Sequence, residues 1–373
     1  MKKKKLASGI LTMVFLVILL NLAYSNRTLL DEPIQKYLNK EYTFEESKNA
    51  ITSAYIEKLE QKYWFINLNG LFVKLSGGRV CNDIVLLKNN MLTDEIVSGY
   101  DTTNNALKVE ELSEQLRKKD IDLIYVQNPA KMDLNNDLLP LGMVNEGNNN
   151  ANQLIEHLTD NNINVLDLRT DMADTPEHIK EYFYNTDHHW NPLGAFRAFQ
   201  EISEYLQEMY PEEEIYGYYQ DLDNWDVHRK EDWFLGSRGK RTGTYFAGVD
   251  DLIWLTPKFE TEMSLANIYG DEFYYGDYET SNIREEYINE RDYFELDAYC
   301  VYVGGDYPLV KHRNNKAPVD KKILIVKDSF VLPLQTYFST VFKEVDVIEK
   351  TEINENSKID REIKETGVVI YER

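Results

Sequence analysis

The 373-residue chain is 43% hydrophobic and 28% charged, a composition that excludes disorder and a polytopic membrane protein and leaves room for one large domain or two small ones. With 41 Lys and Arg against 64 Asp and Glu the formal net charge is −23, and four of the cations stand together at Lys2–Lys5. Nucleic acid and anionic lipid are therefore disfavoured as partners of the main body, because neutralising phosphates takes clustered cations. The 26 Tyr, 15 Phe and 5 Trp offer flat faces that suit sugar rings, although most such rings serve as core.

Lys2–Lys5 precede a stretch without a charge, Leu6 to Tyr24, which includes the run Met13–Leu20. A basic tip followed by an apolar segment of this length reads as an export signal whose lysines stay inside. Residues 1–25 are thus expected to be a signal peptide, with Ala23 and Ser25 as the small residues of a cleavage site, or an N-terminal membrane anchor. Residues 26–373 form the body, which then works outside the cytoplasm. Cys81 and Cys300 are the only cysteines, too few for a disulfide scaffold, and are expected as two buried thiols, with a disulfide between them as the alternative.

Along the body, Ile51, Tyr55 and Leu59 recur every four positions within an expected amphipathic helix at Phe44–Tyr63. Short apolar runs at Ile121–Val126, Asn164–Leu168, Lys322–Val326, Val345–Ile348 and Val368–Tyr371 read as strands. Helical spacing occupies Leu107–Leu116, Leu154–Leu158 and Ile359–Ile363. Strands alternating with helices imply parallel β-α-β units and a three-layer α/β/α sandwich. Residues of about 210–299, rich in Tyr, Asp and Glu, break the pattern and are expected as an aromatic-rich insertion packed on the main sheet.

The most informative local stretch is Tyr184-Asn185-Thr186-Asp187-His188-His189-Trp190-Asn191-Pro192. Asn191 suits a helix N-cap and Pro192 the first helical position, with Leu193, Phe196, Phe199, Ile202 and Leu206 on one apolar face. Asp187 and His189 then stand on the loop entering that helix. A carboxylate two residues from an imidazole can take its Nδ1 hydrogen and leave Nε2 facing a nucleophile. Ser329, at the end of the apolar run Ile323–Val326, supplies one, and a helix at Leu332–Phe338 would aim backbone N–H groups at an oxyanion.

Other readings of these residues stay open. An Asp-x-His pair can be a hydrogen-bonded turn, and Asp187-His188-His189 offers three metal ligands in a row. Against a metal, neighbouring side chains in extended backbone point apart, and the remaining His show no ligand spacing. The same alternation puts His188 on the side away from Asp187 and His189. Ser237 in Gly236-Ser237-Arg238-Gly239 is a rival nucleophile without a preceding buried strand. Gly305 in a glycine turn, and Asn128 and Lys131 after the run Ile121–Val126, are candidates for oxyanion or substrate binding.

YNTDHHWNPLGAF together with ILIVKDSF resembles the DHHW family, related to the alginate O-acetyltransferases of the SGNH hydrolase superfamily. The segments Asn67–Leu75, Tyr125–Lys131, Gly236–Gly243 and Gly304–Pro308 also resemble that family. The resemblance implies an SGNH hydrolase-like fold with Asp187 as orienting acid, His189 as base and Ser329 as nucleophile. It implies an extracytoplasmic O-acetyltransferase acting on a polysaccharide acceptor, supplied by a membrane-bound O-acyltransferase and needing no cofactor. A carbohydrate esterase with the same triad, and a non-catalytic envelope scaffold, are the alternatives. The aromatics of Trp225–Tyr275 are expected to line the acceptor cleft.

Overall fold

The computed structural model describes residues 13, 16, 17, 20–22, 24–59, 61–350 and 366–372. The helix expected at Ile359–Ile363 lies outside them, as does most of the expected export segment. Among the described residues no helix is long and apolar enough to cross a membrane.

A small antiparallel sheet is built from β1 (Val80–Cys81), β2 (Ile84–Leu86) and β3 (Leu92–Asp94). The main sheet takes β4 (Asp122–Gln127), β5 (Asn164–Asp167), β8 (Met263–Asn267), β9 (Glu272–Gly276), β10 (Leu309–Asn314), β11 (Val319–Lys327), β12 (Phe342–Glu349) and β13 (Val368–Glu372) in the order β5-β4-β13-β11-β12-β10-β8-β9. β6 (Trp225–Phe234) and β7 (Asp250–Pro257) pair separately as a hairpin. The strands from β5 to β12 run parallel, and β10, β8 and β9 continue the sheet antiparallel.

Alternation along β11 shows the three layers. Ile323 and Ile325 enter one core with Phe196, Phe199 and Leu206 of the helix Pro192–Met209 and with Phe338 of the helix Val331–Val341. Leu324 and Val326 enter the other, with Val109 and Leu116 of the helix Thr103–Arg117 and Leu154 and Leu158 of the helix Gly147–Asp160. A strand covered on both faces has no polar side to show, which is why these runs are uniformly aliphatic.

The Tyr-rich stretch joins the main sheet through β8, which pairs with β10. One of its three tryptophans turns fully inward: Trp225 is 2% exposed and meets Phe196, Phe259, Tyr278 and Tyr337 edge-on at 5.3–5.6 Å. The exposed Phe273 and Tyr275 sit on β9, the outermost strand, four strands from β11 and so about 19 Å away. The expectation that Trp225–Tyr275 lines a cleft beside Ser329 is corrected accordingly for these residues: one ring is core and the other two are at the far edge. Cys81 and Cys300 are both free thiols, and burial pushes the Cys300 thiol up to about 12.

One buried histidine makes the fold acid-sensitive. His312 on β10 is 2% exposed, its Nε2 stands 3.1 Å from Gln335 Oε1, and burial pushes its pKa down to about 4. Below the ordinary value of 6.5 the unfolded chain takes up a proton that the folded one refuses, so stability falls as pH drops from 6.5 to 4. The loss from this group is about 3 kcal/mol by pH 4. Urea unfolding at pH 7, 5 and 4 is expected to show it, with a flatter dependence in His312→Gln.

Candidate active site

The loop carrying Asp187 and His189 is closed at its base by an antiparallel bridge between Phe183 and Trp190. Asn191 caps the following helix, its side chain accepting from Leu193 N at 2.9 Å and Gly194 N at 3.0 Å. Inside the loop, backbone polar groups are satisfied by two buried charges. The Asp250 carboxylate accepts from Asn185 N at 2.7 Å and Thr186 N at 2.8 Å, and also from the Thr186 hydroxyl. Lys131 Nζ donates to Tyr184 O at 2.8 Å, to Asn185 O at 2.9 Å and to Asp187 O.

An ammonium has three hydrogens, and the three carbonyls take them all. Lys131 is therefore a clamp on the loop, and its expected role in oxyanion or substrate binding is corrected: a fully used, 2%-exposed ammonium has no donor left for a ligand. Burial pulls its pKa down and pushes that of Asp250 up, while each charge draws the other back toward ionisation.

Held this way, Asp187 Oδ1 lies 2.5 Å from His189 Nδ1, and His189 Nε2 lies 2.7 Å from Ser329 Oγ. Asp187 and His189 are 2% and 5% exposed, whereas Ser329 is partly open to solvent. The carboxylate fixes the Nδ1–H tautomer and leaves Nε2 to accept from the serine. Burial pushes the Asp187 carboxyl up, but the hydrogen bond from His189 holds it well below the usual carboxylate range. Its second oxygen accepts from Ser237 N at 2.6 Å. Ser237, the rival nucleophile, thus faces the carboxylate with its backbone N–H.

His188 is placed differently from expectation. Its ring lies 3.7 Å from that of His189, its Nδ1 is 2.9 Å from Ser237 Oγ, and the same nitrogen is 3.4 Å from Asp187 Oδ1. The loop bends here instead of running extended, so alternation does not separate the two rings. Burial and the neighbouring His189 push His188 down to about 4. Ligand-capable atoms of Asp187, His188 and His189 come within 4.8 Å of one another, but Asp187 and His189 use the facing pair on each other.

Tyr299 has no counterpart in the sequence reading. Its ring is stacked on His189 at 4.0 Å and 6° between planes, and its hydroxyl donates to Phe330 O at 3.2 Å. Trp190 Nε1 donates to the same carbonyl at 2.9 Å, so the imidazole and the residue after Ser329 are braced together. One tyrosine among 26 carries no sequence mark of such a role.

The remaining candidates separate. In the parallel register Val326 aligns with Tyr371 and Tyr371 with Tyr125, so Asn128 and Ser329 follow the ends of two strands, β4 and β11, that lie two apart in the sheet, about 10 Å across. Gly305 has φ +156° and packs on Tyr307, and the next residue, Asp306, pairs with Lys327 near the end of β11. Phe330 N donates to Asp328 Oδ1 at 3.1 Å and Val331 N to Asp328 O at 3.3 Å. The first amides of the helix after Ser329 are thus engaged, contrary to the expectation that they face an oxyanion.

Residues 88–218 match the family model described as ALGX: SGNH hydrolase-like domain, acetyltransferase AlgX. Over these residues the chain is similar to an SGNH hydrolase-like domain. The matched segment includes Asp187 and His189 and ends before Ser329. Among solved structures, that of Bacillus cereus PatB1 is 19% identical with a TM-score of 0.63, covering 78% of this chain and 94% of that one. The structure of Bacillus cereus PatB1 with a sulfonyl adduct is 18% identical with a TM-score of 0.62, over the same shares of the two chains. A DHHW family protein from Eubacterium siraeum is 19% identical with a TM-score of 0.53, covering 79% of this chain and 91% of that one. These likenesses speak for a shared fold. No curated protein matches the chain.

Proposed function

We propose that this protein is an extracytoplasmic O-acetyltransferase that passes an acetyl group through Ser329 to hydroxyls of a cell-surface or secreted polysaccharide. The observation that carries the reading is the unbroken hydrogen-bond chain Asp187–His189–Ser329. His189 Nε2 takes the proton of Ser329 as Oγ attacks the acetyl carbonyl, and returns it to the departing donor oxygen. A sugar hydroxyl then gives its proton to the same nitrogen and attacks the acyl-serine, which regenerates Ser329. Asp187 steadies the imidazolium formed in each half, and Asn128, on the loop after β4, is the residue we assign to the carbonyl oxygen. The family resemblance supports acetyl delivery by a membrane-bound O-acyltransferase, which removes any need for a soluble cofactor.

The test uses purified protein and an activated acetyl ester, with and without oligosaccharide. The expected result is one acetyl on the peptide containing Ser329 in the absence of acceptor, and acetylated sugar exceeding free acetate in its presence. A sulfonyl fluoride is expected to block the same peptide. Free acetate as the only product, whatever acceptor is offered, would make the protein an esterase. No adduct and no turnover would leave it a scaffold.

A further inference from the structure

The helix Lys62–Leu75 has two faces with opposite fates. Gly70 is buried against Thr242 O, where a Cβ would come within 2.0 Å, and Asn67 Oδ1 accepts from Thr244 N at 2.7 Å. The other face is left in solvent: Trp64 is 51% exposed, Leu68 39%, Phe72 72% and Leu75 78%, with Phe65 at 37% beside them. At 100° per residue these positions fall within one stripe of about 100°. Such a stripe, on a helix already packed by its opposite side, marks an interaction surface.

Its position says what it meets. Asn26, 2% exposed, donates to Gln61 Oε1 at 2.8 Å, and Gln61 is the residue before the helix. Asn26 follows the uncharged sequence Leu6–Tyr24 by two residues. The place where that apolar sequence joins the body is therefore tied to the first turn of the stripe. The body's acidity opposes electrostatic attraction to anionic lipid, which leaves contact through apolar side chains beside a tether.

We propose that the stripe Trp64–Leu75 rests on the bilayer entered by the N-terminal segment. This rests on the reading of an exported, membrane-linked acetyltransferase and adds how the site is presented. The packed face of the helix holds Thr242–Thr244, and the same short segment begins at Gly236–Ser237, whose backbone N–H holds Asp187. Docking thus sets the active-site loop at a fixed height over the membrane from which the acetyl group comes.

The experiment uses the full chain reconstituted in vesicles of brominated phosphatidylcholine. Trp190, Trp225 and Trp254 are buried and Trp233 is half-buried, so Trp64 is the exposed indole. Bromolipid is expected to quench a fluorescence component that disappears in Trp64→Phe. The triple variant L68S/F72S/L75S, at exposed positions, is expected to lose at least about tenfold in transfer from a membrane-borne acetyl donor while hydrolysing a small soluble acetyl ester at the wild-type rate. Absence of Trp64 quenching overturns the docking, whether the stripe stays in water, meets a second copy or is covered by another protein. Equal loss with both donors also overturns it. Quenching together with no ester turnover in the wild type would instead preserve the docking and remove the catalytic reading.

Discussion

Ser329→Ala and His189→Ala are each expected to lower kcat/KM for acetyl transfer by several orders of magnitude, up to about a millionfold, and the double variant by little more. The three groups act as one unit. Without the Nε2 acceptor 2.7 Å from Oγ the serine is a weak nucleophile, and without Oγ the imidazole has no proton to take. His188→Ala is expected to lose about tenfold at most, the size of one hydrogen bond worth roughly 1.4 kcal/mol. Its nitrogen meets Ser237 Oγ, and it comes closer to Ser237 than to Asp187. Equal damage at His188 and His189 would mean that the two imidazoles share the proton transfer. Full activity in Ser329→Ala would end the assignment.

The parallel half of the sheet was legible because burial on both faces leaves only aliphatic choices, as at Ile323–Val326. Its antiparallel extension was not. On β8 and β10 burial alternates, and exposed or half-buried positions carry residues such as Lys311 and Arg313, so these strands read as polar loop. At the site, Asp187, His189 and Ser329 announced themselves through local pattern: a carboxylate two residues from an imidazole, and a serine ending a buried strand. The groups that hold them did not. Lys131 gains its meaning from three carbonyls more than 50 positions further along the chain, and an isolated lysine in sequence reads as surface. The His188 placement failed for a local reason, since alternation was assumed for backbone that bends.

Gly236→Ala is expected to reduce kcat roughly a hundredfold, while Ser237→Ala changes it little. Gly236 has φ −71° and ψ 175°, values open to any residue, so the demand for glycine is not conformational. It is steric: a Cβ there would stand 2.3 Å from Asp187 Cβ, 2.5 Å from its Cα and 2.6 Å from its N. None of these atoms is the end of a flexible side chain, so one of the two segments must move. The movement stretches the 2.6 Å bond from Ser237 N to Asp187 and the 2.8 Å bond from Gly236 N to Thr186 Oγ1, and shifts the carboxylate that orients His189. Overpacking of this kind costs about 1–3 kcal/mol of stability, which leaves a folded protein whose imidazole is displaced. Ser237→Ala keeps its backbone N–H on Asp187 and removes only the hydroxyl facing His188. Near-UV circular dichroism separates loss of fold from loss of alignment, and an assay of soluble-ester hydrolysis reads the rate. Wild-type turnover in Gly236→Ala would show that Asp187 does not depend on this contact, and a large loss in Ser237→Ala would return that hydroxyl to candidacy as a reacting group.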